Sequence, residues 1–180
     1  MILPNESIAI CRSFLFLAFA TLAFAAPTVF AQDETFSSPN VEYSFALPDA
    51  KWKITVRPSE TSPNVEYVYG ERADGHLEVR RLAASKDMLV SDMVRDEEQK
   101  LQFLPGYVAG KEENFTGRLR GIVFNYEFVR TGRPMSGRMY FLRANDDTVY
   151  VLRFAGLKDR LRSIQNQTDS IARTFSVKRS

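Results

Sequence analysis

Between residues 120 and 156, apolar and polar side chains alternate along three consecutive segments that are separated by two turn signals. Alternation with a period of two residues is typical of a β-strand that buries one face. The segment from Thr131 to Pro134 suits a two-residue turn with Gly132 at its first central position, and Asn145 to Thr148 suits a second tight turn. The pattern therefore predicts an antiparallel meander of three strands, which commits this part of the chain to a β-sheet.

The two predicted turns fix which residues lie opposite one another in the meander. They pair Phe124 with Phe141 across the first turn, and Phe141 with Leu152 across the second. A slip of one residue in either turn would carry every side chain of a strand to the other face, so two turns that agree on one apolar face support the register. The face that they predict consists of Phe124, Tyr126, Met139, Phe141, Leu152 and Phe154.

The opposite face of the predicted meander carries charged and aromatic side chains, and two interpretations of it remain open. In the first, a helix covers this face, and Glu127 and Arg138 form a cross-strand ion pair that contributes only about 0.2–1 kcal/mol. In the second, Arg138 and Arg153 line a recess and bind an acidic group, with Tyr140 stacked beside it. The residues considered for binding are Asn125, Glu127, Arg138, Tyr140 and Arg153, together with Arg143 and Tyr150, which are expected to pair at the end of the apolar face.

The rest of the domain is predicted to contain four more strands and two helices. Residues 32–40 are polar and are interpreted as a flexible lead-in, and residues 41–178 as a single domain. A hairpin is expected about Asp74-Gly75. The predicted fold class is α+β, with an antiparallel sheet flanked by helices. The further strands are expected at 41–47, 52–56, 64–70 and 76–82, and the helices at 87–104 and 159–174.

The first 31 residues have the pattern of a cleavable signal peptide. Arg12 precedes an uncharged run from Ser13 to Phe30, and Val29-Phe30-Ala31 matches a signal peptidase site. Cleavage after Ala31 is the preferred interpretation. A retained anchor is the alternative, because the run approaches the ~20 residues that span a bilayer. The protein is therefore predicted to be exported to the periplasm or the extracellular space, with membrane contact only through this segment if it stays uncleaved.

Few side chains in the predicted mature chain suit catalysis or metal binding. Cys11 is the only cysteine and lies in the signal segment, and His76 is the only histidine. We therefore expect no cofactor, no metal site and no enzyme activity, with a hydrolase that uses two distant carboxylates as an alternative. The chain is rich in arginine after Gly117, which suits an anionic partner. Nucleic acid is not expected to be that partner, because the chain is exported.

Four stretches together resemble the PsbP-like group of domains, which is named for an extrinsic protein of photosystem II and includes exported bacterial relatives. They read FALPDAKWKI from residue 45, LRGIVFNYEFV from 119, RMYFLRANDDTVYVLRF from 138 and IARTFSV from 171. The resemblance implies an α/β/α sandwich around an antiparallel sheet and a non-enzymatic binding or assembly role. We therefore expect an accessory or interaction module of the cell envelope with a protein partner. The alternative is a protein that binds a small molecule or an anionic ligand.

Overall fold

The computed structural model describes residues 34–178, and these residues form two antiparallel sheets and three helices. The larger sheet has the strand order β3-β4-β5-β9-β8-β7-β6, and the smaller one has the order β1-β2-β10. The elements in chain order are β1 (Glu34–Ser37), β2 (Tyr43–Leu47), β3 (Trp52–Val56), β4 (Val65–Tyr69), β5 (Gly75–Ala83), α1 (Val90–Leu101), β6 (Val108–Thr116), β7 (Arg120–Arg130), β8 (Arg133–Asn145), β9 (Thr148–Leu157), α2 (Lys158–Ser163), α3 (Gln165–Thr174) and β10 (Ser176–Val177).

The seven-stranded sheet buries apolar side chains on both of its faces. On one face, Phe141 and its neighbours pack with Val94 of α1. On the other face, Tyr140 packs with Phe45 of the small sheet and with Ile171 of α3. Strands that are covered on both sides need apolar residues at consecutive positions, as in the run from Val149 to Leu152. The predicted α+β class, with an antiparallel sheet between helices, is confirmed.

The predicted meander is present as β7, β8 and β9, but the first turn has a different centre. Thr131 and Gly132 have φ angles of 50° and 74°, so these two residues form the turn, rather than Gly132 and Arg133. Positive φ at both central positions matches the right-handed twist of a two-residue hairpin. Phe124 consequently lies opposite Met139 instead of Phe141. A shift of two residues keeps each side chain on its predicted face.

The second turn is placed as predicted, but a β-bulge follows it. Asn145 lies opposite Thr148, and the next pair is Arg143 with Val149, so Ala144 is the extra residue on β8. A β-bulge of this kind shifts the pairing of two strands by one position. The sequence contains no proline or glycine at this place that would have indicated the bulge.

The bulge exchanges the two faces of β9 relative to the prediction. Phe141 lies opposite Val151 rather than Leu152. Leu152 and Phe154 therefore pack on the face of α3, whereas Val151 shares the face of α1 with Phe124. The single apolar face predicted for all three strands is wrong for β9, because a shift of one residue moves every side chain to the other side.

The predicted hairpin between residues 64 and 82 is present as β4 and β5, with a longer connection than expected. Tyr69 lies opposite Gly75, so residues 70–74 form the loop in place of a tight turn at Asp74-Gly75. This register sets Glu66 opposite Glu78. The repulsion between two like charges is offset because each carboxylate has an arginine nitrogen at 3.6 Å.

The predicted flexible lead-in contains strand β1. Residues 34–37 pair with β2, and Phe36 lies opposite Phe45 with the two rings stacked at 4.9 Å. Phe36 is buried, and this one apolar side chain in a polar stretch is enough to anchor the strand. Residues 34–37 are therefore part of the packed structure, although they precede the predicted domain start at residue 41.

The helices are shorter than the sequence pattern indicates. Helix α1 starts three residues later than predicted and ends three residues earlier. The predicted helix over 159–174 is two helices, because Ile164 leaves helical geometry with φ −109° between α2 and α3. None of the helices within residues 34–178 has the length and apolar character needed to cross a membrane. The predicted signal peptide lies outside the described residues.

Candidate binding site

Arg138 and Tyr140 are the centre of a hydrogen-bond network on the sheet face that packs against α3. They are two residues apart on β8, so both side chains point to the same side. Tyr140 is fully buried, and only 12% of the Arg138 side chain is exposed. Asn125 lies directly opposite Arg138 on β7, and its Oδ1 accepts a hydrogen bond of 2.7 Å from Nη1 of the arginine.

Asp169 of α3 completes the network from the other side. Its Oδ1 accepts a hydrogen bond from Arg138 Nη2 at 2.8 Å and another from the Tyr140 hydroxyl at 2.5 Å. Arg138 Nε donates to the same hydroxyl over 2.6 Å. Three nitrogens of the guanidinium thus have acceptors at short, charge-assisted distances, and the network fastens α3 to the sheet.

The surroundings fix the charge state of both central residues. Burial acts against the charge of Arg138, but Tyr140 and Asp169 outweigh it and hold the pKa of the guanidinium above its usual value. Burial is the main cause that raises the pKa of Tyr140, and the hydrogen bond to Asp169 adds to it. At neutral pH the arginine is therefore a cation and the tyrosine a neutral donor.

An open recess of about 370 Å³ adjoins this network and lies between the sheet and α2. We call it the Arg138 recess. Its sheet side includes Asn125 and Arg138, and its helix side includes Lys158, Arg162 and Gln165. The volume is near the lower end of the range of about 300–1,000 Å³ that small-molecule sites occupy.

The Arg138 recess carries one positive charge that the protein does not neutralise. Arg138 is paired with Asp169, and Lys158 is paired with Glu127 at 2.7 Å. Arg162 has no carboxylate within 4.0 Å among residues 34–178. The recess can therefore accept a carboxylate or a phosphate group, which would find a charged fork and amide groups around it.

Four of the seven residues considered for binding lie in this region. Asn125, Arg138 and Tyr140 are joined by hydrogen bonds, and Glu127 lies at the edge of the recess. The predicted ion pair of Glu127 with Arg138 does not form, because Glu127 lies opposite Ser136 and binds a helix lysine instead. Tyr140 is fully buried and Arg138 is mostly buried, so these two residues do not form an exposed patch.

Arg153 is on the opposite face of the sheet from Arg138. The bulge on β8 places it opposite Met139, and its Nε donates a hydrogen bond of 3.0 Å to the Tyr126 hydroxyl. The second interpretation of this face, a recess that contains both arginines, assumed a regular register and is wrong. The two cations belong to separate surfaces.

Arg143 and Tyr150 do not form the expected pair, because the same bulge separates them. Arg143 lies opposite Val149 and donates hydrogen bonds to the backbone carbonyl groups of Met88 and Asp146. Tyr150 is fully buried on the face of the small sheet, and its hydroxyl donates to the carboxylate of Glu42. Both side chains connect parts of the fold outside the Arg138 recess.

The residues that the two C-terminal helices contribute to the recess and its network were not predicted from the sequence. Lys158, Arg162, Gln165 and Asp169 lie on helices that follow the meander, and polar and charged helix residues are ordinarily exposed. One signal was available in Thr168, which falls on the apolar stripe of α3 and is fully buried. Its Oγ1 lies 3.0 Å from the Tyr140 hydroxyl. A polar residue on an apolar stripe indicates a buried partner.

No protein-family model matches the sequence, and no curated protein has a significantly similar sequence. Solved structures do share the fold. Cyanobacterial PsbP from Synechocystis is 17% identical with a TM-score of 0.56, over 87% of this chain and 99% of that one. LpqN of Mycobacterium tuberculosis, described as involved in cell envelope biogenesis, is 13% identical with a TM-score of 0.54, over 82% and 92%. The Ran-binding protein Mog1p of Saccharomyces cerevisiae is 11% identical with a TM-score of 0.59, over 81% and 95%.

These similarities define the class of the fold. The chain has the α+β architecture that PsbP and Mog1p share, and the predicted resemblance to the PsbP-like group is confirmed at this level. Among residues 34–178 there is also no group of three or more histidine, cysteine, aspartate or glutamate side chains that could hold a metal ion.

Proposed function

We propose that this chain is an exported, non-catalytic accessory protein that acts as a protein-interaction module of the cell envelope. The observation that carries the proposal is the Arg138 recess, where Arg162 has no countercharge and borders a network that is already held in place. A partner that inserts an acidic side chain there would pair with Arg162 beside a network that is already fixed, so on this side only the Arg162 side chain has to be ordered on binding.

Two further observations support this proposal. Residues 1–31 have the pattern of a signal peptide, which would carry the domain across a membrane. The solved structures of the same fold include one protein involved in cell envelope biogenesis and one Ran-binding protein. From these two proteins and from the charge of the recess, we infer that this chain also has an interaction role.

The test is crosslinking of the full-length, tagged protein in cells, followed by mass spectrometry of the proteins that co-purify. Arg162→Glu reverses the free charge of the recess and is expected to abolish the crosslink to a specific partner. The matched control is Arg120→Glu, an exposed arginine on β7 that also has no carboxylate within 4.0 Å in the described part of the chain. Both variants should unfold at the wild-type temperature, because both sites are exposed.

The proposal predicts one reproducible envelope partner that is lost with Arg162→Glu and kept with Arg120→Glu. Recovery of the protein alone, or a partner that both variants retain, would contradict it. A partner that both variants lose equally would indicate a general attraction of charges and would also count against the recess.

The second candidate function is binding of a small anionic molecule in the same recess. Its volume of about 370 Å³ favours this alternative, since it can enclose a compact ligand. Titration of the processed chain with glutamate and with inorganic phosphate separates the two functions. Saturable binding of either probe that Arg162→Gln removes, together with no crosslinked partner, would replace the interaction module by a ligand-binding protein.

A further inference from the structure

A second cavity, of about 570 Å³, opens on the other face of the seven-stranded sheet, beside the segment that follows α1. We call it the α1-side trough. Phe128 and Met135 at the end of the β7–β8 hairpin and Leu104 after α1 form an apolar wall. The facing wall is charged and includes Glu66 and Arg153. The volume is in the middle of the range of about 300–1,000 Å³ that is typical of small-molecule sites.

The structure holds Arg153 in a defined position in this trough. Gly137 allows this arrangement, because a β-carbon at that position would lie 2.0 Å from Cζ of Tyr126. The tyrosine ring therefore lies across β8, and its hydroxyl accepts the hydrogen bond from Arg153 Nε at 3.0 Å. The two terminal nitrogens of the guanidinium make no hydrogen bond within residues 34–178 and remain available as a fork.

The carboxylates of the trough are compensated by the protein. Glu66 lies 2.7 Å from His76 Nε2 and 3.6 Å from Arg72, and Glu78 lies 3.6 Å from Arg80 Nε. A cationic ligand would have to compete with these internal partners for either glutamate.

Two arginines of the trough, Arg130 and Arg153, are not compensated in this way, whereas Arg72 is paired with Glu66. Arg153 lies opposite Glu78 in the strand register, but the two charged groups are more than 4.0 Å apart. Arg130, which also lines the trough, has no carboxylate within that distance among the described residues. A half-buried arginine without a countercharge is stabilised by an added anion.

The apolar wall indicates that this anion has an apolar part. Phe128 and Met135 belong to the core beneath α1 and reach the trough from there, and Leu104 and Val129 extend the wall outward. Val129 is 37% exposed, although it is a large apolar side chain. A purely polar anion would leave this surface in water, whereas an alkyl chain would bury it.

We propose that the α1-side trough binds a carboxylic acid with an apolar tail, with the carboxylate on Arg153 and the tail against Leu104 and Val129, beside the buried Phe128 and Met135. The ligand class is a medium-chain fatty acid or a small molecule of the same chemistry. This site is separate from the Arg138 recess, so it stands or falls independently of the proposed interaction partner.

The experiment is calorimetric titration of the processed chain with decanoate below its micellar concentration. We expect saturable binding of one molecule per chain. Arg153→Gln should weaken it at least tenfold, and Arg153→Lys should weaken it less, because lysine keeps the charge but loses the fork. Arg120→Gln, at an exposed arginine on β7 that lines neither the trough nor the Arg138 recess, is the matched control and should leave the affinity unchanged. Thermal unfolding of each variant verifies that it is folded.

Related probes distinguish the two parts of the proposed ligand. Butyrate should bind at least tenfold more weakly than decanoate, because its shorter chain has fewer methylene groups to bury against the apolar wall. Decanol, which has the tail without the charge, should also bind at least tenfold more weakly. The proposal is overturned if folded wild-type protein does not bind decanoate, if Arg153→Gln and Arg153→Lys both retain wild-type affinity, or if decyltrimethylammonium binds more tightly than decanoate.

Discussion

Arg138 and Asp169 form an ion pair of 2.8 Å that joins the middle of β8 to α3. The pair is largely shielded from water, with 12% of the arginine side chain and 26% of the aspartate side chain exposed. The same aspartate oxygen also accepts the hydrogen bond of Tyr140. The side chains that border the candidate recess therefore also attach a helix to the sheet, and stability and binding depend on the same residues.

Removal of the charge of Asp169 should destabilise the protein. Asp169→Asn keeps the shape of the side chain but leaves the guanidinium of Arg138 without its countercharge. We expect a loss of about 1–3 kcal/mol in the free energy of unfolding, measured by urea denaturation. Asp96→Asn on the exposed face of α1 is the control, with an expected change below about 0.5 kcal/mol. Equal losses in both variants would show that the network contributes nothing specific.

Acid should weaken the attachment of α1 through Glu97. This residue is 6% exposed and lies 2.6 Å from Lys100 Nζ and 3.2 Å from Arg80 Nη2. Burial acts to raise the pKa of Glu97, but the two cations outweigh it and the pKa lies below its ordinary value of 4.5. Such a carboxylate stabilises the fold above the unfolded pKa, and this stabilisation disappears as the pH falls through the folded pKa.

The comparison of wild type with Glu97→Gln isolates this effect. We expect a difference in the free energy of unfolding that is constant from about pH 7 to about pH 5 and decreases below about pH 4.5. Urea denaturation at a series of pH values provides the measurement. A difference that stays constant down to about pH 3, or that increases with acid, would contradict the assignment to the Glu97 carboxylate.

The two glycines of β8 and its turn should differ in their tolerance of a methyl group. At Gly137 a β-carbon would lie 2.0 Å from the Tyr126 ring, whereas at Gly132 nothing lies within 4 Å and only the φ of 74° is unfavourable. Gly137→Ala should cost about 3 kcal/mol by overpacking, and Gly132→Ala about 1 kcal/mol by backbone strain. Thermal unfolding measures both. A smaller cost at Gly137 than at Gly132 would mean that Tyr126 can move aside.

The N-terminal strand should contribute to stability in spite of its polar sequence. Phe36→Ala removes a ring that is 7% exposed and is stacked on Phe45. We expect a loss of about 3 kcal/mol in the free energy of unfolding. Thr35→Ala, on the exposed side of the same strand, should change it by less than about 0.5 kcal/mol. Equal free energies of unfolding for the two variants would instead support the interpretation of residues 32–40 as a flexible lead-in.

Local patterns predicted most of the elements of the fold. Local sequence patterns predicted the strand from Trp52 to Val56 and the three strands of the meander. The turn from Asn145 to Thr148 was also placed correctly. These features depend on neighbouring residues, because side-chain alternation and turn geometry are properties of a few consecutive positions. The polar lead-in failed as a prediction because the stability of β1 comes from Phe45 on another strand.

The candidate site was predicted only in part, for a related reason. Asn125 and Arg138 were found because a shift of two residues preserves the face, but Arg153 was assigned to the wrong side by one extra residue, Ala144. Asp169 and Arg162 were missed because the helices that carry them are brought to the sheet only by packing.

The sequence by itself determined the α+β class and the approximate positions of the strands and helices. It also predicts an export signal, which lies outside the described residues and stays a prediction. The tertiary structure alone decided which charged side chains share a surface. The physical reason is that the face of a residue depends on the register between strands, and a bulge that costs little locally is selected by the packing of the whole sheet. For this protein, that choice separates Arg138 and Arg153 onto two surfaces.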